Sequence, residues 1–453
     1  MIASSKCLFN FHILTFPNFI NIMKYYSTNR LSSEVDLRTA VTKGLAPDRG
    51  LYMPETISEL DPVFFAQMGT LTFQEMAYRV AAKFFGEDIP AEKLKEIVYD
   101  TLTFNTPLVE VEPSIYSLEL FHGPTLAFKD VGARFMARML AYFLSKEKQT
   151  IHVLVATSGD TGSAVANGFL GIEGIKVHVL YPKGKVSEIQ EKQFVTLGQN
   201  ITALEVDGSF DDCQALVKSA FMDEELQRKM VLTSANSINV ARFLPQAFYY
   251  FNAVAQLKEK HKKIVFSVPS GNFGNLTAGL IAKRMGLPVS RFIAANNSND
   301  VVYNYLGTGV YKTKPSVPTI ANAMDVGDPS NFARILDLFG HDHTWISGVM
   351  SGTSYTDDQI KESLASCYKH TGYLCDPHGA VAYRALKEQL QPDELGIFLE
   401  TAHPAKFTET VEEIVGKGNV PMPERLHEFM KGEKKTVEMG VGFEEFKKYL
   451  LSI

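Results

Sequence analysis

Three short stretches of the chain join a reactive or anion-binding side chain to glycine-rich backbone. Residues 122–132 read HGPTLAFKDVG and set Lys129 beside Phe128 and Val131. A lysine amine with reduced hydration has a lowered pKa and attacks aldehydes. The competing reading of Lys129 is a surface residue paired with Asp130 or Asp160. Residues 267–279 read SVPSGNFGNLTAG. There Gly271 and Gly274 let the backbone turn tightly and expose the N–H groups of Gly271, Asn272, Phe273, Gly274 and Asn275, and a following helix adds its positive end, which makes a cradle for a phosphate. The loop has neither the G-K-[ST] ending of a Walker motif nor a dinucleotide G-x-G-x-x-G, and a ligand-free strand-to-helix turn is the competing reading. Residues 157–163 read TSGDTGS. Backbone amides and hydroxyls of Ser158, Gly159 and Thr161 suit a carboxylate or phosphate, and Asp160 suits a ring substituent or a water. Ser158, Asp160 and Thr161 are equally suited to capping a helix.

Two further stretches add polar groups. Residues 400–407 read ETAHPAKF, with a neutral hydroxyl on Thr401, and with His403 as either a general base or a capping or core histidine. Residues 234–246 read SANSINVARFLPQ, in which Arg242 offers a fork that matches phosphate oxygens. An ordinary salt bridge is the alternative for Arg242. Each signal is modest alone. Together, a lysine in an apolar motif, a glycine loop for a phosphate and polar loops for a carboxylate are what a pyridoxal-phosphate enzyme acting on amino acids requires.

These residues need elements to position them. Short apolar runs at 151–156, 175–181, 201–206, 264–268, 292–295 and 397–399 read as buried strands, with helical patterns between most of them, for example 216–230 and 248–260. A further helical stretch is expected over 133–144, just after Lys129. Strand-then-helix repetition predicts parallel sheet with helices on both faces, and ligands gather at the carboxyl ends of such strands. Every loop quoted above except 122–132 follows an expected or probable strand. From Ser32 to about Asn105 the apolar spacing is helical: Val35, Leu37, Val41 and Leu45, then Leu71, Met76, Val80 and Phe84. The tail over 424–453 is charged and reads as helical.

Bulk properties bound the choices. A chain of 453 residues is too long for one core and suggests about two to four domains or subdomains. Its 45% hydrophobic and 21% charged residues are ordinary for a soluble globular protein. A net charge of −6, with no long basic run outside the solvated patch Lys431, Lys434 and Lys435, argues against nucleic acid. No run reaches the roughly 18 apolar residues of a membrane span. Cys7, Cys213, Cys367 and Cys375 form no C-x-x-C and read as free buried thiols in a reducing compartment. Residues 1–22 are interrupted by Asn10, His12, Pro17 and Asn18, unlike a signal peptide, and read as an upstream translation artefact or a disordered leader.

The four motifs HGPTLAFKD (122–130), SGDTG (158–162), SGNFGN (270–275) and TAHPAKF (401–407), in this order, resemble threonine synthase of the longer microbial and fungal type. The resemblance begins near Met23; YST at 26–28 and GLAPDRGLYMP at 44–54 are similar to that family's N-terminal domain. It implies pyridoxal-phosphate fold type II, shared with the tryptophan synthase β chain and threonine deaminase: two open, twisted, parallel-sheet α/β halves facing each other across the cofactor, plus a mainly helical N-terminal domain. The implied division is an N-terminal domain over 23–105 and a catalytic region over 106–453, with its smaller half near 130–250. Lys129 then carries the cofactor as an imine, Gly271 to Asn275 hold its phosphate, Thr401 meets the pyridine nitrogen, and Asp160 stands where related folds often have an Asn facing the ring hydroxyl. Ser158, Gly159 and Thr161 receive the substrate carboxylate. Arg242, with Lys406 as its rival, takes the substrate phosphate.

The implied reaction consumes O-phosphohomoserine and water and yields threonine and phosphate, with Lys129 removing the Cα proton. A phospho-lyase releasing a 2-oxo acid, ammonia and phosphate is the nearest competitor, distinguished by its products. A non-catalytic protein on this fold is disfavoured, because both the lysine and the glycine loop are present. The expected partners are a small-molecule substrate and, at most, a second copy of the chain; the expected compartment is the cytoplasm.

Overall fold

In the computed structural model, which describes residues 23–144, 150–258 and 261–453, the apolar runs pair into two mainly parallel sheets. In chain order the strands are β1 (Tyr25–Ser27), β2 (Tyr52–Pro54), β3 (Leu108–Glu112), β4 (Ile115–Glu119), β5 (Ile151–Ala156), β6 (Ile175–Pro182), β7 (Ile201–Val206), β8 (Val231–Ser234), β9 (Lys263–Pro269), β10 (Val289–Asn296), β11 (Met350–Ser354), β12 (Glu394–Glu400) and β13 (Thr436–Met439). One sheet has the order β11-β10-β9-β12-β4-β3 and is parallel apart from the β3–β4 hairpin. The other has the order β13-β7-β6-β5-β8 and is parallel throughout. β1 and β2 form a small antiparallel pair.

The six strands read from the sequence are β5, β6, β7, β9, β10 and β12, all interior to their sheets. Their residues are buried on both faces, which is why they form continuous apolar runs. The pattern over 216–230 is split: helices Phe210–Met222 and Glu224–Lys229 meet at Asp223, whose carboxylate caps the second by accepting from the N–H groups of Glu225 and Leu226. The 248–260 pattern forms helix Ala247–Gln256, and its last two positions lie outside the described residues. The helix expected over 133–144 starts earlier, at Lys129 itself. The charged tail is not wholly helical: β13 lies between helices Glu424–Lys431 and Phe443–Leu451. Residues 1–22, read as an artefact or leader, are outside the described residues.

The N-terminal part folds as helices Leu37–Lys43, Pro62–Gln67, Phe73–Phe85 and Ala91–Thr101, the first three capped by Asp36, Asp61 and Thr72. Its apolar faces share a core with the catalytic helices. Phe85 lies 5.3 Å from Phe135 and Phe64 lies 5.8 Å from Phe251, ring centre to ring centre. Burying such rings contributes about 1.5–3 kcal/mol each, so this contact anchors the helices that bear the site. Among the described residues no helix is long and apolar enough to cross a membrane.

Candidate active site

All five chemistry-bearing loops leave the carboxyl ends of neighbouring strands. β9, β12 and β4 are consecutive in the larger sheet and lead to the 270–275, 401–407 and 122–132 loops; β5 and β8 are adjacent in the smaller sheet and lead to the 157–163 and 234–246 loops. The Lys129 loop is laced to the Thr401 loop as in a short sheet. Phe128 N–H donates to Thr401 O at 2.8 Å, His403 N–H donates to Leu126 O at 3.0 Å, and Ala127 bridges Ala402.

Lys129 opens the helix Lys129–Leu144, whose first turns are packed too tightly for a side chain at Gly132: a Cβ there would lie 2.4 Å from Arg242 O. The amine makes no hydrogen bond or ion pair with any described residue and lies 5.7 Å from the centre of the Phe128 ring. Burial pushes its pKa down to about 8; Asp160 opposes this, while Lys406 and Arg242 push it further down. The amine does not pair with Asp130, which is engaged elsewhere. Its carboxylate accepts from Thr125 N–H at 2.8 Å and from Thr125 Oγ1 at 2.6 Å.

Asp160 is joined across the cleft to Lys406. Lys406 Nζ lies 2.6 Å from Asp160 Oδ1, with both side chains almost wholly buried, and also donates to Thr125 O at 2.9 Å. Gln190 Nε2 donates to the same Asp160 oxygen at 2.8 Å. Burial alone would raise the Asp160 carboxyl, but Lys406 and then Lys129 outweigh it and hold the group well below the ordinary carboxylate range. Lys406 is thereby committed, and the pair links loops of both sheets.

The 157–163 loop is not capped by Ser158, Asp160 or Thr161. The cap position is Gly159, at φ 142°, with the Gln190 side chain 2.6 Å from where a Cβ would sit. Thr157 Oγ1 accepts from the N–H groups of Gly159 and Gly162 at 2.9 and 2.8 Å. The N–H groups of Ser158, Asp160 and Thr161 have no acceptor among the described residues, so they face the cleft as a set of donors.

The cradle after β9 has the same character. None of the N–H groups of Gly271, Asn272, Phe273, Gly274 and Asn275 finds an acceptor among the described residues. The left-handed residue in the turn is Phe273, at φ 60°, rather than either glycine. Gly271 is needed for close approach instead: a Cβ there would lie 2.7 Å from Met324 Cα. Asn275 locks the turn by accepting from Ser270 Oγ and Leu276 N–H and donating to Pro269 O.

Arg242 has no carboxylate partner among the described residues. It is 4% exposed, donates from Nη1 to Lys129 O at 3.3 Å, and leaves Nε without a partner. Burial lowers it to about 10, which keeps it charged at neutral pH. Thr401 is buried and its hydroxyl has no protein partner among the described residues. His403 is a cap: its Nδ1 accepts from Ala405 N–H at 3.1 Å, and burial pushes its pKa down to about 4. Sequence reasoning missed Gln190, Tyr249, whose hydroxyl donates to Phe128 O, and the pair Asn331 and Arg334 beside the cradle. No local signal marks any of these four as functional.

An unpaired amine of lowered pKa and five amides without acceptors among the described residues, on loops at the carboxyl ends of strands, fit pyridoxal phosphate: the amine for its aldehyde, the amides for its phosphate. Residues 100–398 accordingly match the family model described as pyridoxal-phosphate dependent enzyme, and the architecture is that class's fold type II. Residues 24–102 match the model for the threonine synthase N terminus, and residues 379–450 match the model for its C-terminal part. Threonine synthase of Haemophilus influenzae is 48% identical over 433 residues, covering 95% of this chain and all of that protein. The crystal structure of threonine synthase from Escherichia coli superposes with a TM-score of 0.89 at 45% identity, over 95% of this chain and 100% of that one. The pyridoxal-phosphate-bound threonine synthase from Brucella melitensis gives 0.88 at 34% identity, over 94% and 98%. The chain belongs to the threonine synthase family.

Proposed function

We propose that the chain converts O-phosphohomoserine and water to threonine and inorganic phosphate, with Lys129 as the residue that bears the cofactor and moves protons. The observation that carries this is the buried Arg242, without a carboxylate partner among the described residues and resting on the backbone carbonyl of Lys129: a cation suited to phosphate stands beside an amine tuned toward neutrality. Pyridoxal phosphate, when bound, supplies the electron sink that the carbon chemistry needs.

Gly271, Asn272, Phe273, Gly274 and Asn275 hold the cofactor phosphate through their free amides. The Thr401 hydroxyl would serve as a neutral partner for the ring nitrogen. Asp160, ion-paired with Lys406, would face the ring hydroxyl. Ser158 and Thr161 take the substrate carboxylate with their free N–H groups, while Gly159, its own N–H committed to Thr157, sets the loop's shape. Lys129, lowered to about 8, has a useful neutral fraction near pH 7 and takes the Cα proton. Arg242 holds the phosphate oxygens as the Cγ–O bond breaks. Cγ ends as a methyl group and the hydroxyl of water ends on Cβ.

The free, buried thiols Cys213, Cys367 and Cys375 support a reducing compartment, and we place the enzyme in the cytoplasm as a monomer or homodimer. The test of the function is direct. Purified protein with O-phosphohomoserine should release threonine and phosphate in equal amounts. Release of 2-oxobutyrate and ammonia with the phosphate would make it a phospho-lyase instead.

A further inference from the structure

Arg334 is a fully buried cation with no carboxylate partner among the described residues. It lies on the helix Phe332–Leu338, and its guanidinium carbon sits 3.9 Å from the centre of the Phe243 ring. Every side of its fork is used. Nε and Nη2 donate to Tyr52 O at 3.3 and 3.0 Å, Nη2 donates to Ile238 O at 2.6 Å, and Nη1 donates to Ser237 O at 3.0 Å and to Asn331 Oδ1 at 2.5 Å. Burial lowers its pKa to about 9, yet the carbonyl dipoles around it favour the charged form. A buried charge without a counter-ion costs stability, and hydrophobic residues of similar volume often serve a core better. Packing alone therefore does not account for an arginine here.

The acceptors of Arg334 lead straight to the cradle. Asn331 Nδ2 donates to Ser237 Oγ at 3.1 Å, and Asn272 Nδ2 donates to the same oxygen at 2.8 Å. Asn331 N–H reaches Asn272 O at 3.3 Å, and Ser330 N–H reaches Asn272 Oδ1 at 2.6 Å. A Cβ placed on Gly274 would lie 3.2 Å from Ser237 Cβ and 3.4 Å from Asn331 Nδ2. Both polar ends of the Asn272 side chain are thus engaged on the Arg334 side, while the cradle's five N–H groups keep no acceptor among the described residues. The other end of the fork grips β2 of the N-terminal part through Tyr52 O.

We propose that Arg334, acting through Asn331 and Ser237, is a positioning residue that fixes the Gly271–Asn275 loop with its amides turned outward and backs it with an uncompensated positive charge, so that the N-terminal part and the cofactor-phosphate site are coupled. The proposal rests on that loop being the cofactor-phosphate site. An anion held by oriented amides gains further from a buried cation behind them, because the low-dielectric surroundings screen it little.

The experiment compares the affinity of the stripped, full-length protein for pyridoxal phosphate and for pyridoxal, which lacks the phosphate. The ratio of the two dissociation constants isolates the phosphate's contribution. It is measured for the wild type, Arg334→Met, Ser237→Ala and Gly274→Val. Arg334→Met and Ser237→Ala are expected to shrink the ratio by at least about tenfold, the effect of one charge-assisted hydrogen bond, while pyridoxal affinity stays within about threefold. Parallel loss of both affinities would mark a merely structural role and overturn the proposal. So would an unchanged ratio in Arg334→Met and Ser237→Ala while Gly274→Val collapses it; the cradle would then stand without the relay. If Gly274→Val also keeps the ratio, the cradle reading falls and takes the relay with it. Should Arg334→Met fail to fold, Asn331→Ala takes its place beside Ser237→Ala, since it cuts the side-chain link from the Arg334 fork to Ser237 Oγ and leaves the arginine in place.

Discussion

Arg242→Ala separates the phosphate role from a structural one. In the structure the guanidinium is buried, holds one 3.3 Å contact to Lys129 O, leaves Nε without a partner and pairs with no described carboxylate. Its removal therefore breaks no ion pair. The cavity left by the side chain costs stability, but relief of an unpaired buried charge offsets part of that. The loss should fall on the reaction instead. A cation that holds the departing phosphate contributes about 2–4 kcal/mol to the transition state, or about 30- to 1000-fold in kcat/KM. Phosphate release from O-phosphohomoserine, measured at saturating cofactor, gives that ratio. A second readout comes from Lys129, whose amine Arg242 pushes toward neutrality. Without that charge the Lys129 pKa rises from about 8, so the pH at which the stripped enzyme regains its cofactor at half-maximal rate should move to higher pH. Wild-type kinetics in a folded, cofactor-loaded variant would refute the phosphate role. A lowered Tm with unchanged kinetics would make Arg242 a structural residue.

Borohydride treatment should trap the cofactor covalently on Lys129, and a peptide map placing the label on another lysine would sink that assignment. Lys406→Met should destabilise the protein by about 3–5 kcal/mol in a denaturant titration, because it strands the buried Asp160 carboxylate; Lys406→Met with Asp160→Asn should recover much of the loss. Asp160 is held below its ordinary value of 3.8, so its ionised form contributes stability above that pH and the contribution is lost as pH falls through the folded value. The stability gap between wild type and Lys406→Met should accordingly close in acid, and a gap that is flat with pH would show that the pair is not ionic. His403, lowered to about 4, is neutral at physiological pH and caps its turn: His403→Asn, which keeps an acceptor, should retain activity within a few-fold, while His403→Ala loses about 1 kcal/mol of stability. A large kcat loss in His403→Asn would restore the histidine as a general base.

The motifs themselves were legible because each is local. A β-branched, apolar strand followed by small residues and a helix can be read in any window that holds all three, and this places Asp160, the Gly271–Asn275 cradle, Thr401 and Arg242 at strand ends or on the helices that follow, while Lys129 stands out only by its own apolar motif. The interior strands β5, β6, β7, β9, β10 and β12 were equally clear, since burial on two faces demands unbroken apolar runs. The four outer strands of the two sheets, β3, β8, β11 and β13, carry no such demand. β13 lies in a charged tail, β11 reads MSGTS, and β3 alternates Glu with Val, so none stands out from a loop or a helix end. β4 is interior, yet Ser117 and Glu119 break its run IYSLE, and Ser117 is satisfied by Tyr373, 256 residues away.

Tertiary structure alone decided which charges meet. That Lys406 is spent on Asp160 and that Arg242 meets no carboxylate among the described residues depend on residues brought together from separate strands. The same holds for Arg334, which gathers Tyr52, Ser237, Ile238 and Asn331 around one guanidinium. Periodicity reports only which face of an element is apolar. The partner of a buried polar group is set by sheet order and loop packing, and its cost or benefit depends on that partner's distance, to which a linear sequence carries no direct record.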